Sequence, residues 1–287
     1  MPDMYTATWV SHSSIADFLR CPRAYFLNNI YKDPQTGHKI QLMSPALALG
    51  QAVHEALESL SVLPVASRFD IPLADRFEKS WKKISGERGG FTSESQEAEY
   101  KHRGSQMIAR VAKNPGPLER LAVKIKTDLP KYFLSEEENI MLCGKVDWLE
   151  YLLKEDAVHI IDFKTGKREE ADDSLQLPIY HLLVHNTQER KVARASYWYL
   201  HHSDELTEKE LPDLVEAHEK VLTIAKKIKT QKKLQVFTCP NGDSGCRSCT
   251  PLEQIVAGEA TFVGESNYRQ DVYILKESRS DSGSDIL

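Results

Sequence analysis

The stretch IIDFKTG places an acid and a base two positions apart. On a β-strand alternate side chains face opposite sides, so Asp162 and Lys164 share one face while Ile161 and Phe163 share the other. A single triplet of this kind is common in half-exposed strands that carry an ion pair. The preceding run, GKVDWLE, adds a second acid, Asp147, flanked by the apolar Val146 and Trp148. If the two runs pair, Asp147 and Asp162 converge on one side of a sheet. Two carboxylates held that close repel unless a cation lies between them, and hard oxygen ligands suit Mg²⁺ or Mn²⁺.

Two helical runs offer partners for these groups. In ALALGQAVHEALE, Gly50, His54 and Glu58 recur every fourth residue and lie along one helical face. Gly50 allows close approach to the sheet and His54 presents an imidazole to the same ion, although a solitary helical histidine is more often structural. Gln176 and Tyr180 are likewise one helical turn apart. Alone they read as packing residues, but beside the acids they can hold a phosphate or orient Lys164. Phosphodiester hydrolysis needs a nucleophilic water, neutralised phosphoryl oxygens and a stabilised leaving oxygen. One or two divalent ions supply all three, and a lysine adds a point charge beside the attacked phosphate.

The elements that must position these groups follow from periodicity. Residues 13–31 read as helical with a break at Pro22, and Ser44 followed by Pro45 opens a second helix. Leu73, Phe77, Trp81 and Ile84 mark a third helix, and Met107, Ile108 and Val111 a fourth. From Lys131 to Lys167 the pattern turns to β-rich runs with polar turns, predicting an antiparallel meander. A helix (SLQLPIYHLLVH), a strand (ARASYWYL) and a long charged helix over 207–233 follow. This order predicts an α/β fold with a mainly helical N-terminal half. The 287 residues, 41% of them hydrophobic, suffice for one core. The expected organisation is a single domain over 1–262 (helical segment about 45–130, core sheet about 131–203, cysteine segment 237–250), then a partly disordered tail over 263–287 that ends in ESRSDSGSDIL.

A net charge of −5 argues against DNA binding through overall charge, so any such contact rests on a local basic surface or on bound cations. Between Asp204 and Glu219 stand seven acids and one lysine, whereas Lys226, Lys227, Lys229, Lys232 and Lys233 crowd the end of the same predicted helix. They suit the helix dipole on a solvated face, or they form a phosphate-tracking surface. Cys239, Cys246 and Cys249 fall within eleven residues, a C-x6-C-x2-C run that favours a metal or cluster. Cys143 reads as a small buried residue. No apolar run reaches the roughly 20 residues of a membrane helix, and the N-terminus lacks a leader pattern, so a cytoplasmic protein is expected. With no phosphate-binding G-x-x-x-x-G-K-[ST] loop, any unwinding of duplex DNA falls to a separate helicase subunit.

The succession GQAVHEALE, GKVDWLE, IIDFKTGK and QLPIY resembles the PD-(D/E)xK nuclease superfamily, and within it the RecB-like branch that includes the CRISPR-adaptation nucleases. The resemblance runs from about residue 11 to about residue 250 and rests on the order and spacing of four motifs. It implies a restriction-endonuclease-like core, a central mixed β-sheet flanked by helices. It also implies that His54, Asp147 and Asp162 bind Mg²⁺ or Mn²⁺, that Lys164 is the catalytic lysine, and that Gln176 and Tyr180 are its accessory pair. The implied activity is a metal-dependent DNA nuclease, an exonuclease of repair or recombination on single-stranded or opened DNA. Two alternatives are a non-catalytic scaffold in a helicase complex and a CRISPR spacer-adaptation nuclease. The branch further implies that Cys21 joins Cys239, Cys246 and Cys249 around a [4Fe–4S] cluster. Here the short cysteine spacing comes last rather than first and no cysteine stands near Ile255, so four-thiolate Zn²⁺ stays open.

Overall fold

Local chemistry starts and stops the elements much as the sequence predicts. The Ser44 hydroxyl accepts from the Leu47 amide and Pro45 takes the first helical position, where a missing N–H costs nothing. The N-terminal helical stretch breaks at Cys21, which closes one helix and caps the next ahead of Pro22. The computed structural model describes residues 2–275 apart from 126, 128 and 267. In order the chain forms β1 (Thr8–Val10), α1 (His12–Arg20), α2 (Pro22–Asn29), β2 (Lys39–Leu42), α3 (Pro45–Glu58), α4 (Leu73–Trp81) and α5 (Glu94–Lys113). It continues through β3 (Lys131–Ser135), β4 (Ile140–Cys143), β5 (Trp148–Leu152), β6 (Ala157–Lys164), α6 (Gln176–Thr187), β7 (Lys191–Tyr199) and β8 (Thr207–Lys209). It closes with α7 (Leu214–Leu234), α8 (Thr250–Val256), β9 (Thr261–Glu265) and β10 (Gln270–Ile274).

The central sheet is mixed, in the order β5-β6-β7-β8, with β6 antiparallel to β5 and parallel to β7 across the α6 crossover. β6 is buried along nearly its whole length, so both of its faces pack. Val158 and Ile160 join a core built with α6, α7 and α1, whereas Ile161, Phe163 and Trp148 join a second core built with α3, α4 and α5. An α/β restriction-endonuclease-like core flanked by helices is therefore what the chain builds.

Two expectations are corrected, and the segment from residue 263, expected to be a partly disordered tail, carries strand β10. The predicted meander divides, because β3 and β4 pair with β1 in a separate sheet and only β5–β6 belongs to the central one. The predicted helix over 207–233 begins at Leu214, capped by Asp213, after the short strand β8, where Pro212 ends the extended stretch. The predicted tail from residue 263 is in part ordered. β10 pairs in parallel with β2 and in antiparallel with β9, and Val272 enters the second core. The segment ESRSDSGSDIL lies outside the described residues. Among the described residues no helix is long and apolar enough to cross a membrane.

α3 and α5 cross closely because Gly104 has no side chain. A Cβ there would lie 2.4 Å from the Phe77 ring and 2.9 Å from Leu49. Alanine would gain about 1 kcal/mol of helix propensity, but overpacking costs about 1–3 kcal/mol and both neighbours are nearly inaccessible. Gly104→Ala is therefore expected to lower stability and Gly104→Leu to lower it further, in the order read from chemical-denaturation midpoints.

Candidate active site

The site forms where β5 begins and β6 ends, at the rim between the two helical layers. β5 is regular only from Trp148, which pairs with Ile161, and one step beyond that pair sets Asp147 opposite Asp162. Asp147 continues the pairing through its side chain, as Oδ2 accepts from the Phe163 amide at 2.8 Å. The two acids thus face one another because the hairpin register requires it.

Helix α3 brings His54 from one side. Its Nδ1 lies 3.3 Å from Asp147 Oδ1 and 3.7 Å from Glu58 Oε1. His54, Glu58 and Asp147 each offer a ligand atom within 4.8 Å of the others. Gly50 does stand at the sheet end, but a Cβ there would sit 3.4 Å from Thr165 Oγ1, an ordinary contact, so the approach does not demand glycine. Glu58 also pairs with Lys145.

Helix α6 supplies the other side. Gln176, its first residue, donates from Nε2 to Asp162 Oδ1 at 2.7 Å and lies 3.2 Å from the Tyr180 hydroxyl one turn on. Its carbonyl accepts from Lys164. Lys164 Nζ lies 3.0 Å from Asp162 Oδ2, 3.0 Å from Glu170 Oε2 and 4.9 Å from the centre of the Tyr197 ring. Glu170 is itself fixed, accepting from Ser174 Oγ at 2.8 Å while its amide donates to the Tyr199 hydroxyl.

Burial sets the charges. Burial and the facing Asp147 push Asp162 up to about 7, against the pull of Lys164 and His54. Burial opposes ionisation of Asp147 as well, but His54 and the Phe163 amide hold it below the usual carboxylate range. Burial alone would lower His54, yet Asp147 and Glu58 raise it to about 10, so with no ion bound the ring carries a proton that a bound cation would displace. Burial, then Lys164, lowers the neighbouring His12. Burial, then Asp162 and Asp147, keeps the Tyr180 hydroxyl protonated.

A divalent ion fits this chemistry. Asp162 Oδ2 is buried and makes no hydrogen bond, since its contact with Lys164 lacks the geometry for one. Such a buried oxygen, met only by the Lys164 ammonium, with a second carboxylate opposite and an imidazole alongside, is the donor set of a hard-cation site. Asp162 stands outside the 4.8 Å trio because its free oxygen turns toward Lys164. Glu58 and Glu170 are additions to the expected set. Glu58 was visible as the third member of the four-residue spacing, whereas Glu170 sits in a polar loop whose path the sequence does not reveal.

The thiols of Cys21, Cys239, Cys246 and Cys249 also gather, all within 4.8 Å of one another and none in a disulfide. Cys246 and Cys249 are 3.8 Å apart. The Ser248 and Cys249 amides pull Cys246 down to about 6, whereas burial pushes Cys21 up to about 12 and raises Cys249 as well. Cys143 is half-buried and apart from them. Of the α7 lysines, Lys226 and Lys229 pair with Glu138 at 3.1 and 2.8 Å, Lys232 is half-buried, and Lys227 and Lys233 are exposed.

Residues 9–252 match the family model of the PD-(D/E)XK nuclease superfamily, and the chain belongs to that superfamily. Among solved structures it is similar to a "Putative exonuclease" from Eubacterium rectale, with 14% identity over 84% of this chain and 86% of that one and a TM-score of 0.47. No curated protein sequence matches it.

Mn²⁺ is expected to raise Tm by relieving the carboxylate repulsion, by about 3 kcal/mol of stability at a hundredfold excess over Kd. Asp162→Asn should abolish that rise while leaving the metal-free protein folded, as scanning calorimetry with and without the ion would record.

Proposed function

We propose that the protein is a divalent-metal-dependent deoxyribonuclease, an exonuclease acting on single-stranded or opened DNA in repair or recombination. The observation that carries this reading is the buried pair Asp147 and Asp162, opposed across one hairpin with a hydrogen-bond-free oxygen and Lys164 beside it. Such a pair is costly in a core without a cation, and a phosphodiester substrate gives the cation a purpose.

His54, Asp147 and Asp162 would hold Mg²⁺ or Mn²⁺, with Glu58 in reach. The ion, when bound, supplies a water of lowered pKa and Lewis acidity at the phosphoryl oxygens. Gln176 fixes the Asp162 carboxylate by its amide and the Lys164 ammonium by its carbonyl, so both groups keep one geometry. Tyr180 steadies Gln176 in turn. Lys164 keeps a positive charge, raised by Asp162 and Glu170 against burial, and stands as the electrostatic partner of the attacked phosphate. No side chain is covalently modified. The chain carries no nucleotide-motor loop, so a separate helicase would open duplex DNA for it.

The cysteine centre is read as structural. Cys21, Cys239, Cys246 and Cys249 would hold one ion between them, with all four thiols within 4.8 Å of one another and Cys246 and Cys249 3.8 Å apart. That spacing favours a single Zn²⁺ over a four-iron cube. Free thiols of this kind persist in a reducing compartment, which supports a cytoplasmic location.

Asp162→Ala and Lys164→Ala are each expected to fold normally and to lose metal-dependent cleavage of single-stranded DNA by at least ~10²-fold. Wild-type protein that degrades no DNA with either ion overturns the reading. For the thiol centre, anaerobic purification with metal analysis should give one colourless zinc per chain, lost together with several degrees of Tm in Cys249→Ser. Brown protein carrying iron would instead assign the cluster and leave the cutting chemistry standing.

A further inference from the structure

The cations of α7 are partly consumed by Glu138, but a second basic surface lies at the same sheet end as Lys164. β7 runs parallel to β6, with Tyr199 level with Lys164, and the Leu200 amide donates to the Lys164 carbonyl at 2.9 Å. His201 and His202 follow at once. The ring of His202 stacks on Tyr199 at 5.4 Å.

Opposite them, α5 presents Arg103, Arg110 and Lys113 around a recess of about 460 Å³ that His201 and Asp204 close from the other side. Arg110 is neutralised by Asp204 at 2.7 Å. Among the described residues Arg103, Lys113 and the nearby Lys167 have no acidic partner. The guanidinium carbon of Arg103 lies over the Tyr100 ring at 4.8 Å, and its buried Nε makes no hydrogen bond. Burial first, then Arg103, Lys167, His202 and Arg110, lower the pKa of His201, so these charges share one field. The acids nearby are Asp204, already paired, Glu169, which lies 4.0 Å from His202, and in the loop after Lys167 Glu170, Asp172 and Asp173, of which Glu170 pairs with Lys164 and Asp172 with Lys209.

We propose that this surface, Arg103 and Lys113 on α5 with Lys167 beyond the D-x-K strand, binds the phosphodiester backbone of the DNA strand whose scissile phosphate lies at Lys164. The inference deepens the nuclease reading and rests on it. In a chain of net charge −5, a concentration of unpaired cations beside carboxylates is the surface on which a polyanion gains by releasing counterions. An arginine preset against an aromatic ring, with no acidic partner for its guanidinium, suits phosphate oxygens at little ordering cost. Lys167 lies in the turn directly after the catalytic strand, so a strand over Lys164 reaches this patch by way of Lys167, where the Asp204 at its rim is already paired with Arg110.

The test compares wild type with Arg103→Gln/Lys113→Gln, neither residue being part of the metal site. Binding of a long labelled single strand is measured by fluorescence anisotropy without divalent ions over a salt series, together with Mn²⁺-dependent cleavage of a trinucleotide. Each lost phosphate contact should flatten the slope of log K against log salt by about 0.7, so the double variant binds more weakly than wild type at low salt and the deficit narrows roughly sevenfold over a fourfold rise in salt. Trinucleotide cleavage should be unchanged. Lys113→Gln alone, at an exposed position, should give about half of that slope change and carries the test if the double variant unfolds. Equal affinity and slope in wild type and variants overturns the inference, as does a loss on the trinucleotide as large as on the long strand. Wild type that binds the strand with the expected salt slope but cuts nothing would defeat the nuclease reading instead.

Discussion

The repulsion between two buried carboxylates organises this molecule. Asp147 and Asp162 oppose each other because β5 and β6 are antiparallel neighbours. The surrounding groups answer that repulsion: His54 as an imidazolium, Lys164 as an ammonium, Gln176 and the Phe163 amide as donors. The site is therefore charged, partly satisfied and preset, a combination that costs stability and that folds retain where charge develops during a reaction.

Keeping the two acids opposed requires that the hairpin never slip, since a shift of one residue would send Asp162 to the other face. A buried polar row guards the register. Glu150 on β5 accepts from His159 on β6, whose other ring nitrogen meets Ser196 on β7 at 2.8 Å, and Arg120 closes the outer end. No slipped pairing satisfies all of these groups, whereas the aliphatic pairs around them tolerate a shift more easily. The apolar strand thus provides cohesion and the polar row provides alignment.

Much of this was legible in the sequence because it depends on short-range spacing. The alternation in IIDFKTG, the four-residue steps to Glu58 and from Gln176 to Tyr180, and the Ser44–Pro45 helix start are each local geometry, and each recurs in the fold. What escaped was set by tertiary pairing. Nothing local says that β3 and β4 leave the central sheet for β1, or that residues near 270 return to lie along β2. The role of Glu170 hides in a loop, and the neutralisation of Lys226 and Lys229 depends on Glu138, far away in sequence. The reach of Cys21 toward the distant trio followed from family resemblance rather than spacing, and the geometry agrees with it.

Cys21 terminates α1, and His12, beside Lys164 and Glu170, begins it. A nine-residue helix is a stiff rod of about 13 Å, so the thiol centre and the reacting end of the sheet are two ends of one lever. A displacement at the thiols is thereby carried along one rigid element to the neighbourhood of Lys164 and Glu170.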